Sequence, residues 1–183
     1  MSKTILMPLA NGFEELEAIT ISDLLVRAGV TVVTAGLEEG PVKASRGTVV
    51  IPTHSLDDVL HQAFDLIVLP GGQPGADNLM ADSRIIDLLR QQHTQGKLIG
   101  AICAAPKVLV AAGIAEHQSI TSYPGAINHL DLKNVTVVNE PVVFSHNIVT
   151  SRGPGTAMKF ALGLVETLQG TEVRQKVETA LEG

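Results

Sequence analysis

The chain has a single cysteine, Cys103, among 183 residues. One thiol cannot close an internal disulfide, so the expected compartment is the cytoplasm, with the thiol reduced unless its own chemistry dictates otherwise. Basic charge is scarce as well. Thirteen Lys and Arg stand against nineteen Asp and Glu, a formal net charge of −6, and nothing supplies the basic stripe that a nucleic-acid partner requires. No apolar run approaches the roughly 20 residues of a membrane-spanning helix. The opening "MSKTILMPLANG" enters a strand-like run without the basic, apolar and small-residue regions of a secretory leader. The six histidines (His54, His61, His93, His117, His129 and His146) make no metal-ligand spacing with the lone cysteine, so no zinc or other metal is expected. Linkers, repeats and low-complexity segments are missing too, and the expectation is one domain over 1–183.

Apolar residues make up 45% and charged residues 17%, which is the composition of a globular chain. Short apolar runs alternate with longer amphipathic ones. Strands are expected at 4–10, 30–36, 47–52, 65–70 and 97–102, with shorter ones near 119–122, 135–138, 142–144 and 147–150. Pro52 marks 47–52 as an edge strand. Helices are expected over 14–29, with Leu16, Ile19, Leu24 and Leu25 at helical spacing and Gly29 as the stop, and over 82–96, 105–113, 154–170 and 171–181. Pro154 suits a first helical turn. Continuous apolar strands alternating with helices predict an α/β fold, a mostly parallel sheet covered by helices on both faces. Ligands in such sheets bind beyond the carboxyl ends of the strands. Three of those ends stand out: "NGFEELE", "PGG" and "CAAP".

Cys103 lies where strand 97–102 turns into the helix that follows it. A side chain there is lifted clear of the sheet, as in a nucleophile elbow. The positive end of the helix favours a thiolate, so a lowered thiol pKa is expected. The alternative is a buried structural cysteine. Gly71 and Gly72, at a neighbouring strand end, can present unobstructed backbone N–H groups to an oxyanion, or can form a plain tight turn. Glu14, Glu15 and Glu17 occupy the first turns of the first helix. Glu14 and Glu17, three apart, share a face. Carboxylates are ordinary partners for the first helical turn; forced close to a thiol in a water-poor site, one would hold its proton and donate to sulfur.

Six pieces, "NGFEELEA" (11–18), "LLVRAGV" (24–30), "SRG" (45–47), "VLPGG" (68–72), "AICAAP" (101–106) and "TSRGPGTA" (150–157), give the chain a resemblance to the ThiJ/PfpI superfamily. Within it the chain is similar to the branch of the parkinsonism-associated protein deglycase and its YajL-type bacterial relatives. The pieces follow the family's order and spacing over nearly the whole chain. The resemblance implies a flavodoxin-like sandwich, a homodimer, a reactive Cys103, a partner Glu17, and backbone donors at Gly71, Gly72 and Ala104. It also implies that Glu14, Arg27 and Arg46 lie near the site and the dimer interface, the arginines as anion contacts or as solvated surface groups.

Two departures bear on the chemistry. Tyr123, in "TSYP", stands where eukaryotic members have a histidine, and a phenol of ordinary pKa about 10 is a poor base at neutral pH. Ala104 stands where protease-like members carry a histidine after the cysteine, so Cys–His peptidase activity is not expected. Cys103 and Glu17 alone suit a 2-oxoaldehyde such as methylglyoxal, or its adducts on amines. The thiol would form a hemithioacetal, Glu17 would move a proton between carbons, and hydrolysis would release a 2-hydroxy acid without glutathione or cofactor. The alternative is a cysteine-based oxidative-stress sensor or redox-regulated chaperone.

Overall fold

The computed structural model of the chain describes residues 3–182; Met1, Ser2 and Gly183, at the ends of the expected 1–183 unit, lie outside the described residues. Strands and helices alternate in chain order: β1 (Thr4–Leu9), α1 (Glu15–Arg27), β2 (Thr31–Gly36), β3 (Val42–Lys43), β4 (Val49–Val50), β5 (His54–Ser55), β6 (Leu66–Leu69), α2 (Gly75–Ala81), α3 (Ser83–Thr94), β7 (Leu98–Ile102), α4 (Pro106–Ala111), β8 (Ser119–Ile120), β9 (Thr136–Val137), β10 (Val142–Ser145), β11 (Ile148–Ser151), α5 (Ala157–Gln169) and α6 (Thr171–Ala180). Short 3-10 turns stand at Asp57–Val59 and Pro154–Thr156.

Seven strands form the central sheet in the order β10-β11-β7-β6-β1-β2-β5. All neighbours pair in parallel except β10, which runs antiparallel to β11. The run β2-β1-β6-β7-β11 is the flavodoxin-like order. Alternation along the strands sends side chains to two cores. Ile5, Met7 and Leu9 of β1 pack with α1 and α5 on one face. Leu6, with Ile67 and Leu69 of β6, packs with α2, α3 and α4 on the other.

The sequence pattern and the structure part in three places. Residues 47–52 do not form an edge strand of the main sheet. Only Val49–Val50 is extended, and it pairs antiparallel with β3 in a separate hairpin; the edge belongs to β5, beyond Pro52. A helix unforeseen in the sequence, α2, follows the glycine turn and hands over directly to α3 at Asp82, whose side chain accepts the Arg84 N–H at 2.9 Å. Along α1, the buried stripe is Glu17, Ala18, Ile21, Leu24 and Leu25. Leu16 and Ile19, grouped with Leu24 and Leu25 by spacing, are about half exposed, and so is Val26.

Candidate active site

The parallel strands β1, β6 and β7 are neighbours and end on the same edge, so three loops converge there. After β7, Cys103 adopts φ +64°, a left-handed conformation uncommon outside glycine. Its backbone is held from two sides: its N–H donates to the Ser151 carbonyl at 2.9 Å, and its carbonyl accepts the Tyr123 N–H at 2.8 Å. Such strain persists where surroundings over-determine it, and it marks functional turns. The side chain is nearly buried, 8% exposed, at the floor of a cavity of about 560 Å³. Gly72 and Ala104 share that floor, and Glu14, Arg46 and Tyr123 stand on its walls.

Glu17 lies behind the sulfur rather than on the cavity wall, with no solvent exposure. Its stripe on α1 is otherwise apolar, so the same helical period that seats Ile21 and Leu25 drives this carboxyl into the core. Oε2 accepts the Gly71 N–H at 2.7 Å, and Oε1 is buried without a conventional hydrogen-bond partner. The polar group set against the carboxyl is the Cys103 thiol. Burial, helped by the nearby Glu14 charge and opposed by the Gly71 N–H and the thiol, pushes Glu17 up to about 7.

The expected lowering of the thiol pKa is reversed. Burial first, then the charge of Glu17 and its hydrogen bond, push Cys103 up to about 12; the N–H groups of Gly72 and Ala104 pull the other way. The helix counted on to favour a thiolate has six residues and begins at Pro106, three positions beyond the sulfur. Both Glu17 contributions to the thiol depend on its carboxylate being charged. The Cys103–Glu17 pair therefore favours one negative charge over two, and a thiolate is favoured there while Glu17 keeps the proton.

Gly71 also departs from its expected role. Its N–H is taken by Glu17, and its carbonyl accepts the Glu14 N–H at 2.9 Å, which leaves Gly72 and Ala104 as the donors facing sulfur. Both glycines are spatially required. A Cβ at Gly71 would lie 2.6 Å from Cys103 Cβ and 2.8 Å from the Ile102 carbonyl oxygen; one at Gly72 would meet the backbone of Gly12 and Glu14, at a φ of +89°.

Glu14 stands at the position before α1 and is largely buried, with Ser45 Oγ donating to its Oε2 at 3.0 Å. Glu15, off the face that Glu14 and Glu17 share, clamps the neighbouring loop by accepting the N–H groups of Arg46 and Thr48. That clamp puts Arg46 at the cavity mouth, its side chain 79% exposed and its Nε 4.0 Å from Glu14 Oε2. Arg27 is placed elsewhere. It ends α1, pairs with Asp23 at 2.7 Å, and borders a separate cleft with Val173 and Lys176. The helix that carries Glu17 to the cysteine carries Arg27, ten residues on, about 15 Å away along its axis. Tyr123 is half exposed, its ring against Gly153. Gln73 and Ser45 also line the cavity; Ser45 sat in a quoted motif, but nothing in the residue pattern marked Gln73. Among the described residues no cluster of three or more His, Cys, Asp or Glu is placed to hold a metal.

Against known proteins, residues 3–167 match the DJ-1/PfpI family. The chain belongs to that family. Among solved DJ-1 structures, that of Drosophila melanogaster DJ-1beta superposes with a TM-score of 0.95 at 46% identity, covering 99% of this chain and 98% of that one. An oxidized DJ-1 from Toxoplasma gondii gives 0.93 at 36% identity, covering 98% of each chain. The Caenorhabditis elegans protein described as glutathione-independent glyoxalase DJR-1.2 is 42% identical over 93% of this chain and 90% of its own length. These DJ-1 relatives match the mixed α/β fold and its mostly parallel sheet. No helix among the described residues is long and apolar enough to cross a membrane.

Proposed function

We propose that this DJ-1/PfpI protein converts 2-oxoaldehydes such as methylglyoxal, free or as adducts on amines, to 2-hydroxy acids without glutathione or cofactor. The observation that carries the reading is the Cys103–Glu17 pair: a thiol at a cavity floor, backed by a buried carboxyl whose pKa of about 7 suits proton transfer at neutral pH. Its resemblance to a relative described as a glutathione-independent glyoxalase supports it.

As sulfur adds to the aldehyde carbon, its proton passes to Glu17 and the new oxyanion meets the N–H groups of Gly72 and Ala104. The alkoxide takes that proton back, giving a neutral hemithioacetal and restoring the carboxylate. Glu17 then removes the C1 proton and returns it at C2 through an enediol, which leaves a thioester. Water hydrolyses the thioester, releasing the 2-hydroxy acid and regenerating the thiol. Water is the only co-reactant. Lactate formed from methylglyoxal without added thiol, and abolished by Cys103→Ser, tests the proposal. No lactate from the wild type removes it.

A second reading is a redox role in the stress response, as a sensor or chaperone. It draws on the access of Cys103 to the cavity and on the relative described as oxidized. Two peroxide molecules would take the thiol to a sulfinate with loss of two waters. A stoichiometric +32 Da step at Cys103, in a protein that makes no lactate, favours this reading over the enzyme. For assembly, we propose a homodimer through the outward face of α1, where Leu16, Ile19 and Val26 are exposed.

A further inference from the structure

Behind the cavity wall lies a buried cation that the chemistry above does not use. Lys107, in the first turn of α4, is 3% exposed. Its Nζ donates to Asp77 Oδ1 of α2 at 2.7 Å. The Gln73 amide, oriented so that both of its ends are satisfied, closes a ring: its oxygen accepts from Lys107 Nζ and its nitrogen donates to Asp77 Oδ2, each at 2.7 Å. Lysine is rarely buried unless paired, and a buried ion pair is weak support for stability, since apolar replacements are often neutral or better. Stability alone does not account for the ring; what it holds does.

It holds the Gln73 side chain, at the end of the segment Gly71–Gln73. Each of these three consecutive residues is tied to the site or to the ring. The Gly71 N–H goes to Glu17, the Gly72 N–H faces Cys103 sulfur, and the Gln73 side chain goes to the Lys107–Asp77 pair. Gln73 is otherwise solvent-exposed, so without the ring the third anchor is lost. We propose that Lys107 is a positioning residue, acting through Gln73 and Asp77 to hold the Gly71 and Gly72 N–H groups against Glu17 and Cys103. The inference rests on Cys103 being the reactive group of the site. The other charged and titratable groups around the pair are Glu14, Arg46 and Tyr123. Lys107 does not line the cavity, so its influence runs through the segment it holds.

The test is the rate of Cys103 alkylation by iodoacetamide across pH 6 to 10, in the wild type, Lys107→Met and Gln73→Leu. Looser N–H groups stabilise the thiolate less, while a looser Gly71 N–H leaves Glu17 holding its proton to higher pH, which by itself favours the thiolate. Both variants should therefore react about tenfold more slowly at pH 6, where Glu17 is protonated in each of them, the loss of about one hydrogen bond to a charged group. The inflection that Glu17 imposes near neutral pH should move upward. Lys107→Met leaves Asp77 half exposed and solvated, so its melting temperature should change little. If Lys107→Met fails to fold, Gln73→Leu, at an exposed position, decides alone. A pH profile identical to wild type in the folded variants overturns the proposal, whatever happens to melting temperature, and so does a wild-type Cys103 that does not alkylate. The reagent is not an aldehyde substrate. A shifted profile in a protein that makes no lactate would therefore retain the positioning role and remove the glyoxalase reading.

Discussion

A carboxyl group without solvent contact stabilises its fold more when protonated than when charged. Glu17 titrates at about 7 in the folded chain against an ordinary 4.5. Below pH 4.5 both folded and unfolded chains hold the proton, and the contribution is fully present. As pH rises towards 7 the unfolded chain releases the proton first, so stability falls; the gap corresponds to about 3 kcal/mol. Glu17→Gln is neutral at every pH. The wild type should therefore lose stability relative to this variant between pH 5 and pH 8 in denaturant unfolding, and a constant difference would contradict the assignment. Tyr123 sits on the same cavity with its ring against Gly153. If that ring only packs, Tyr123→Phe should leave lactate formation within about twofold. A larger loss would assign the hydroxyl a part in orienting the aldehyde.

At the scale of elements, the site depends on how closely the ends of β6 and β7 approach. The Gly71 position admits no side chain because Cys103 Cβ and the Ile102 carbonyl fill the space. Gly71→Ala should cost about 1–3 kcal/mol through backbone shifts. It should also slow Cys103 alkylation, because the shift moves the Gly72 N–H away from sulfur; a variant with wild-type stability and reactivity would contradict this packing. Most elements were legible from period alone. The strands β1, β6 and β7 are apolar throughout because both faces are covered, and glycines or prolines bound them. The helix α2 was not legible, because seven residues behind a Gly-Gly-Gln-Pro stretch carry too little period to outweigh the turn signal. The buried stripe of α1 contains a charged residue, Glu17, so apolar spacing alone groups Leu16 and Ile19 with Leu24 and Leu25 and does not separate the inward from the outward ones. The thiol pKa was misread because a helix terminus can be seen in a sequence, whereas burial and the approach of a carboxylate 86 positions away cannot. The Lys107–Asp77–Gln73 ring was invisible for the same reason, since Lys107 lies 30 positions from Asp77.

At the scale of the whole molecule, the outward Leu16, Ile19 and Val26 leave an apolar strip on α1, next to the loop that Glu15 clamps at the cavity mouth. A second copy would bury that strip and stiffen the wall carrying Arg46. Sedimentation at micromolar concentration should give twice the mass of one chain, and Leu16→Glu with Ile19→Glu should give a folded monomer. A wild type that sediments as a monomer would contradict the dimer. In the proposed function Cys103 and Glu17 act as one unit that shares a proton and carries a single negative charge. Glu17→Gln tests it most directly, with two rates measured on the same sample: iodoacetamide alkylation of Cys103 and lactate formed from methylglyoxal without added thiol. Removing the charge that raises the thiol, while leaving an amide to donate to sulfur, should speed alkylation at pH 8 several-fold. The same change should lower lactate formation by at least about a hundredfold, because no group is left to carry the proton between carbons. Slower alkylation, or lactate formation at the wild-type rate, would contradict the account.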